Sequence, residues 1–276
     1  MPAFEKLEGK EKAWSTHVLI VGDGFGSGEI TSPGGLRDAA KAVGKAIAKQ
    51  PWYPASKSLC VWFAPTPVDP KIHKAKLKYK CGGGAPPLPY VRFGAKYGTG
   101  AKCSMLKGDA YKIHDLVFDL EAQGLPDIRS TLVLVNYPAY GGYGDSQITW
   151  ASLTPGVFID LALHELGHAF GLYDEYENAC GKPDAAATAI NGRNITSNAK
   201  SPLWFGEAKP KPLQVATKVK PVDCDIDPKN PPIAVGSFPG GLYRHTKYFR
   251  PSEKCKMRDI ADPFCTVCSN AIAATV

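Results

Sequence analysis

One stretch, LALHELGHAFGLYDEYENAC from Leu161 to Cys180, restricts the fold more than any other part of the chain. Thr154 and Pro155 precede it, as they would a helix start. Val157, Ile159, Leu161, Leu163, Leu166 and Phe170 then cover most of a helical circumference, so the helix must be buried rather than lie on the surface. His164 and His168 are four residues apart and therefore sit one above the other on a single face. Glu165 follows about 100° round, which places its carboxylate beside a metal held by the two imidazoles without making it a ligand. A buried carboxylate next to two buried histidines needs a counter-charge, and a divalent cation supplies it.

The continuation makes the reading sharper. Gly171 comes three residues after His168 and Asp174 three after that, giving H-E-x-x-H-x-x-G-x-x-D. Glycine lets the chain leave the helix in a left-handed turn, so that the residue three further on swings back towards the metal. A carboxylate oxygen ligates zinc at about 2.0–2.2 Å, so one catalytic zinc is expected on His164, His168 and Asp174, with a fourth position open to water. Glu165 is then the general base of a hydrolytic reaction. Glu175 either competes with Asp174 as ligand or, as the better reading, orients a histidine from behind. Tyr173 and Tyr176 are the available hydroxyls for stabilising an oxyanion.

Upstream, apolar runs alternate with helical periods. THVLIVGDGF (16–25), SLCVWFAP (58–65), STLVLVNYPAY (130–140) and ITWASL (148–153) read as strands. Residues 35–50 and 109–123 carry apolar side chains at helical spacing, the second through Ile113, Leu116, Val117 and Leu120. The alternation predicts an α/β (α+β) catalytic unit over 1–176, with a mixed, mostly parallel sheet. GDGFGSG after the first strand lacks a P-loop lysine and the G-x-G-x-x-G register, so it reads as a structural turn, and GGYGD as another turn. Residues 177–255 are rich in Pro, Gly, Asn and Lys, and 177–276 read as a loop-rich second unit with short pieces such as PLQVATKV and a final helix from about Pro263.

The chain carries eight cysteines, enough for four disulfides, at least one of which would have to join the parts before and after the HELGH segment. The competing reading is a structural zinc built on Cys265 and Cys268 with Cys255 and Cys224; disulfides are preferred, because Cys255 and Cys224 do not form a second close pair. Cysteine usage points to a secreted or periplasmic protein, whereas MPAFEKLEGKEKAWS has no signal-peptide pattern and leaves a cytoplasmic location as the alternative. No apolar run reaches the length of a membrane span. The formal charge of +7 admits an anionic partner. Its densest run, KIHKAKLKYK (71–80), has the period of a strand with a lysine-covered solvent face, and nothing else suggests nucleic acid. Asn194-Ile195-Thr196 is a formal glycosylation acceptor in a loop.

HELGHAFGLYDEY resembles the metzincin signature and, through Asp-Glu-Tyr, the IgA peptidase family of zinc metallopeptidases. VLIVGDGF, STLVLVNYPAYGGYGD and CKMRDIADPFCTVC resemble further blocks of that family in the same order, so the resemblance spans about residues 17 to 270. It implies a metzincin-like catalytic domain with Met257 in a methionine turn under the metal. It also implies Ile148 to Ser152 as the rim strand on which an extended polypeptide substrate pairs. Two departures stand out: metzincins usually have histidine where Asp174 stands, and no tyrosine closely follows Met257. The expected activity is that of a monomeric zinc endopeptidase. A zinc hydrolase of non-peptide amides such as cell-wall material, or a catalytically silent binding module, is the alternative.

Overall fold

A run such as Val18-Leu19-Ile20-Val21, with no polar residue to face water, is stable as a strand only if both faces of its sheet are covered. All four side chains are fully excluded from solvent, each contributing about 1.5–3 kcal/mol relative to exposure. The structure, a computed structural model, describes residues 3–12, 15–53, 59–79, 89–99, 102–176, 188–198, 202–205 and 235–276. The chain divides into two units, Met1–Ala169 together with Val276, and Phe170–Thr275.

In the first unit the elements run β1 (Glu5–Glu8), β2 (Thr16–Asp23), α1 (Leu36–Ala48), β3 (Leu59–Phe63), β4 (Lys96–Tyr97), β5 (Leu106–Lys107), α2 (Ala110–Glu121), β6 (Ser130–Val135), β7 (Gly142–Gly144), β8 (Ile148–Ser152) and α3 (Phe158–Ala169). Six strands form one sheet in the order β1-β3-β2-β6-β8-β7. The inner pairs β2/β3, β2/β6 and β6/β8 are parallel, while β1 and β7 close the two edges antiparallel. The expected mixed, mostly parallel sheet with helices is therefore what forms.

Successive side chains of β2 point to opposite faces. Leu19 and Val21 pack with Val133, Val135 and the α2 residues Ile113 and Leu120, together with Leu77, Val91 and Phe93 from the irregular segments. On the other face, Gly22 leaves room for Leu36 of α1, whose side chain would lie 2.4 Å from a Cβ placed there. Helix α1 also contacts α3, which packs along β8 and β7. Asp109 caps α2 by accepting from the Tyr111 N–H at 3.1 Å.

Several expectations change. GGYGD is not only a turn: Gly142–Gly144 is the edge strand β7. Ile148–Ser152 is an inner strand, hydrogen-bonded on both sides, so it has no free edge to offer a substrate. The lysine run makes isolated bridges at Lys76 and Lys78 rather than a strand, although Lys74, Lys76 and Lys78 stay exposed around buried Leu77. The turn after β2 is structural: the Asp23 carboxylate is buried and accepts from the backbone N–H groups of Arg92, Phe93 and Ala95 at 2.6, 3.2 and 3.2 Å.

The second unit contains the hairpin β9 (Phe238–Gly241) and β10 (Arg244–Arg250), followed by α4 (Thr266–Ala273). Leu242 and Tyr243 at its tip both have positive φ, 49° and 62°, as a two-residue turn of this hand requires. Thr196 exchanges backbone hydrogen bonds with Phe249 at 3.0 and 2.8 Å, which ties the segment around Asn194 to the hairpin. PLQVATKV and Cys224 fall outside the described residues.

Candidate metal centre

Helix α3 buries eight of its residues, including His164 and Glu165 at 6% exposure each. The two imidazoles meet edge to face with ring centroids 5.1 Å apart, as the four-residue spacing dictates. The Glu165 carboxylate lies 4.0 Å from His168 Nε2. It is held there by a contact that the helix sequence alone does not show. Strand β7 crosses so close to α3 that a Cβ on Gly142 would stand 2.0 Å from Glu165 Oε1. A Cβ on Gly144 would stand 2.7 Å from the Glu165 carbonyl and 2.8 Å from His168 Cβ. Glycine in a strand commonly marks such close approach, so the G-x-G of GGYGD was the signal that these two residues belong to the site.

After α3 the chain turns at Gly171 with φ +86°, the left-handed exit the motif predicts. Among the described residues, two groups of side chains are able to hold a metal ion. The first is formed along the continuous stretch from His164 to Asp174: one ligand atom from each of His164, His168 and Asp174 lies within 4.8 Å of the others. A tetrahedral zinc with bonds near 2.1 Å has ligand edges of about 3.4 Å. Two imidazole nitrogens and one carboxylate oxygen are a donor set suited to zinc. The second group is Glu175, Cys255, Cys265 and Cys268.

Asp174 Oδ2 accepts a hydrogen bond from the Tyr176 hydroxyl at 2.8 Å. That hydroxyl lies 2.5 Å from the Tyr243 hydroxyl, and the two rings are edge to face at 4.7 Å. Burial first, and the nearby Asp174 charge second, drive the Tyr176 phenol well above its ordinary range, so it stays a donor at any working pH. Tyr243 is a member of this group that the sequence does not reveal, being 67 positions from its partner. Its backbone N–H donates to the Tyr176 carbonyl at 3.0 Å, and the Leu242 N–H to the Asp174 carbonyl at 3.1 Å.

Glu175 does not take the place expected for it. Fully buried, its Oε1 accepts from Asn194 Nδ2 at 2.9 Å and from the Cys268 thiol at 3.1 Å. Its carboxyl thus belongs to the cysteine group rather than to a histidine. Asn194 is fully buried too: its amide bonds both the N–H and the carbonyl of Tyr173, at 2.9 and 2.8 Å, which leaves no exposed acceptor for a glycan. Met257 is fully buried in a turn, and its carbonyl accepts from the Glu175 N–H at 2.8 Å. Cys103 is disulfide-bonded. Cys60, Cys255, Cys265 and Cys268 are free thiols, so the chain does not form the framework of four disulfides expected from an even count.

A family model described as IgA Peptidase M64 matches residues 217–276. This short C-terminal stretch holds Cys255, Met257, Cys265 and Cys268, and it supports a peptidase role for the chain. No curated protein gives a significant match.

Proposed function

We propose that the chain is a zinc-dependent endopeptidase. The observation that carries the reading is the His164, His168 and Asp174 donor group with the buried Glu165 carboxylate fixed beside it by Gly142. The C-terminal peptidase match supports the same class of reaction. His164, His168 and Asp174 would hold the zinc, which would supply a Lewis acid for the scissile carbonyl and for water.

The chain's own residues do the rest. Glu165 takes a proton from the attacking water and delivers it to the leaving amine nitrogen as the C–N bond breaks. Its carboxylate is kept in one place because the β7 backbone packs against it. Tyr176 fixes the Asp174 carboxylate through their hydrogen bond, and the Tyr243 hydroxyl in turn donates to the Tyr176 oxygen and holds that phenol in place. An extended polypeptide substrate pairs along the edge strand β7 beyond Gly142, whose N–H is already donated to the Ser104 carbonyl, rather than with β8.

The test is zinc content measured alongside cleavage of denatured casein, for the wild type and Glu165→Ala. Zinc in both with cleavage only by the wild type is the expected result. Equal cleavage by both removes Glu165 as base, and zinc in both with cleavage by neither transfers the reading to a non-peptide amide substrate or a binding role.

A further inference from the structure

Three cysteines and a glutamate in one dry place call for an explanation that the peptidase mechanism does not give. Glu175, Cys255 and Cys268 are fully buried and Cys265 is 8% exposed. Cys265 and Cys268 stand at the start of α4, where the Cys268 N–H donates to Cys265 Sγ at 3.5 Å. Cys255 Sγ lies 3.5 Å from Cys268 Sγ and accepts from the Cys265 N–H at 3.5 Å. Backbone donors of this kind stabilise thiolates, not neutral thiols.

The separations suit a metal better than a disulfide. Sulfurs joined by a disulfide stand about 2.05 Å apart. In a tetrahedral zinc site with Zn–S near 2.3 Å, the sulfurs are about 3.8 Å apart and a carboxylate oxygen about 3.5 Å from each sulfur. The observed 3.5 Å between sulfurs and 3.1 Å between Cys268 Sγ and Glu175 Oε1 lie close to those edges. A disulfide between any two of the three would leave the third thiol beside a buried carboxyl. The second carboxyl oxygen, Glu175 Oε2, is buried and has no hydrogen-bond partner among the described residues, an arrangement that costs about 1–3 kcal/mol unless something binds it.

We infer that Glu175, Cys255, Cys265 and Cys268 form a second, closed zinc site with a structural role. Three thiolates and a carboxylate fill all four positions, which leaves none for water and excludes catalysis there. Binding releases any protons these groups carry, and the net negative charge that results is partly offset by Arg250, a fully buried guanidinium that acts electrostatically on Glu175. The site clamps residue 175 to the Cys255 turn and to α4. If Asp174 is a catalytic ligand as proposed above, the neighbouring residue is thereby anchored too.

The experiment is metal analysis and cobalt substitution of the full chain. About two zinc ions per chain are expected in the wild type and about one in each of His164→Ala/His168→Ala and Cys265→Ser/Cys268→Ser. In the histidine variant, bound cobalt retains its thiolate-to-metal charge-transfer absorption. One ion in the wild type and none in the histidine variant would overturn this inference and leave the peptidase site standing. A single ion kept by the histidine variant and lost by the cysteine variant would do the reverse. Should the cysteine variant not accumulate, Glu175→Gln replaces it: the charge-transfer absorption persists, but a chelator removes the metal at least about 10-fold faster. An unchanged release rate, or a disulfide between two of the three thiols in the unreduced protein, rejects the site.

Discussion

Replacing Gly142 by alanine tests whether the β7 backbone positions the proposed base. The new methyl carbon would stand 2.0 Å from Glu165 Oε1, 2.7 Å from Cδ and 2.9 Å from Cγ. Ordinary contact begins near 3.4 Å, so the carboxylate has to move by more than 1 Å, and being the end of a flexible side chain it can. A misplacement of that size costs about 10²-fold in rate, and complete loss of general-base catalysis about 10²–10⁴-fold. We expect kcat to fall by about 10²–10³, equivalent to about 2.7–4 kcal/mol of barrier, with KM and zinc content little changed. Overpacking lowers stability by about 1–3 kcal/mol, which thermal unfolding reports separately. The decisive comparison is the same substitution in a Glu165→Ala background, where the three atoms nearest the methyl are gone and no further loss is expected. Full activity in the single variant, or an equal loss in both backgrounds, refutes the positioning argument. Gly144→Ala is the contrasting case. Its methyl meets the Glu165 carbonyl and His168 Cβ at 2.7 and 2.8 Å, neither of which can yield without moving α3, so zinc content and folding fall together.

Tyr176→Phe removes the hydroxyl donated to Asp174 Oδ2; the expected weakening of zinc binding is about 10- to 100-fold, read by competition with a chelating dye, and unchanged affinity would exclude Tyr176 as the group that orients Asp174. Asn194→Ala deletes the bonds to Tyr173 N–H, Tyr173 carbonyl and Glu175 Oε1; with the two Tyr173 groups left unpaired and Glu175 Oε1 keeping only the Cys268 thiol, denaturant unfolding should show a loss of about 2 kcal/mol or more. Burial raises the Asp23 carboxyl from 3.8 to about 6 against the pull of four backbone donors. The folded state therefore binds the extra proton: the stabilisation is complete below pH 3.8 and is lost as pH rises through about 6. Denaturation midpoints of the wild type should accordingly fall relative to Asp23→Asn across that window, and parallel profiles would contradict the shift.

The inner strands β2, β3, β6 and β8 could be read from the sequence because helices or irregular chain cover both faces of the sheet, and the resulting apolar runs are nearly unbroken. The edges were not legible. Strand β1 reads Glu-Lys-Leu-Glu and offers one apolar side chain, so no periodicity announces it. Strand β7 reads Gly-Tyr-Gly, which resembles a turn; its glycines answer to Glu165 and His168, more than twenty residues further on. Without β7 the apolar run of β8 reads as the outer strand, whereas β7 covers it. Within α3, by contrast, helix geometry fixes His164, Glu165 and His168 locally, so spacing alone located them. The cysteine pattern points to Cys255, Cys265 and Cys268 but offers Cys224 as the fourth member of their group, because nothing in it points to a glutamate 80 residues upstream of Cys255. With four free thiols, the even cysteine count also loses its force as an argument for an oxidising compartment.

The two adjacent acids Asp174 and Glu175 show how one short segment can serve two sets of ligands. Beyond Gly171 the chain is neither helical nor turned through residues 172–176, and in extended backbone neighbouring side chains point to opposite sides while those two apart share one. The hydroxyl of Tyr176 accordingly reaches Asp174, two residues back, at 2.8 Å. Glu175 points the other way, into Asn194 and Cys268. A helix continuing past Phe170 would instead have put residues 174 and 175 only 100° apart on one surface, competing for the same ion. The left-handed Gly171 is what ends the helix before that happens, so its role is to separate the two carboxylates as much as to return one of them. Gly171→Ala therefore has an expected effect beyond its backbone strain of about 1–2 kcal/mol. No atom lies within 4 Å of the added methyl, so any change in metal binding reports the altered exit of the chain and not a clash. Zinc content that falls along with stability supports that role for Gly171, whereas a purely thermal effect with full zinc content would show that the glycine only relieves strain.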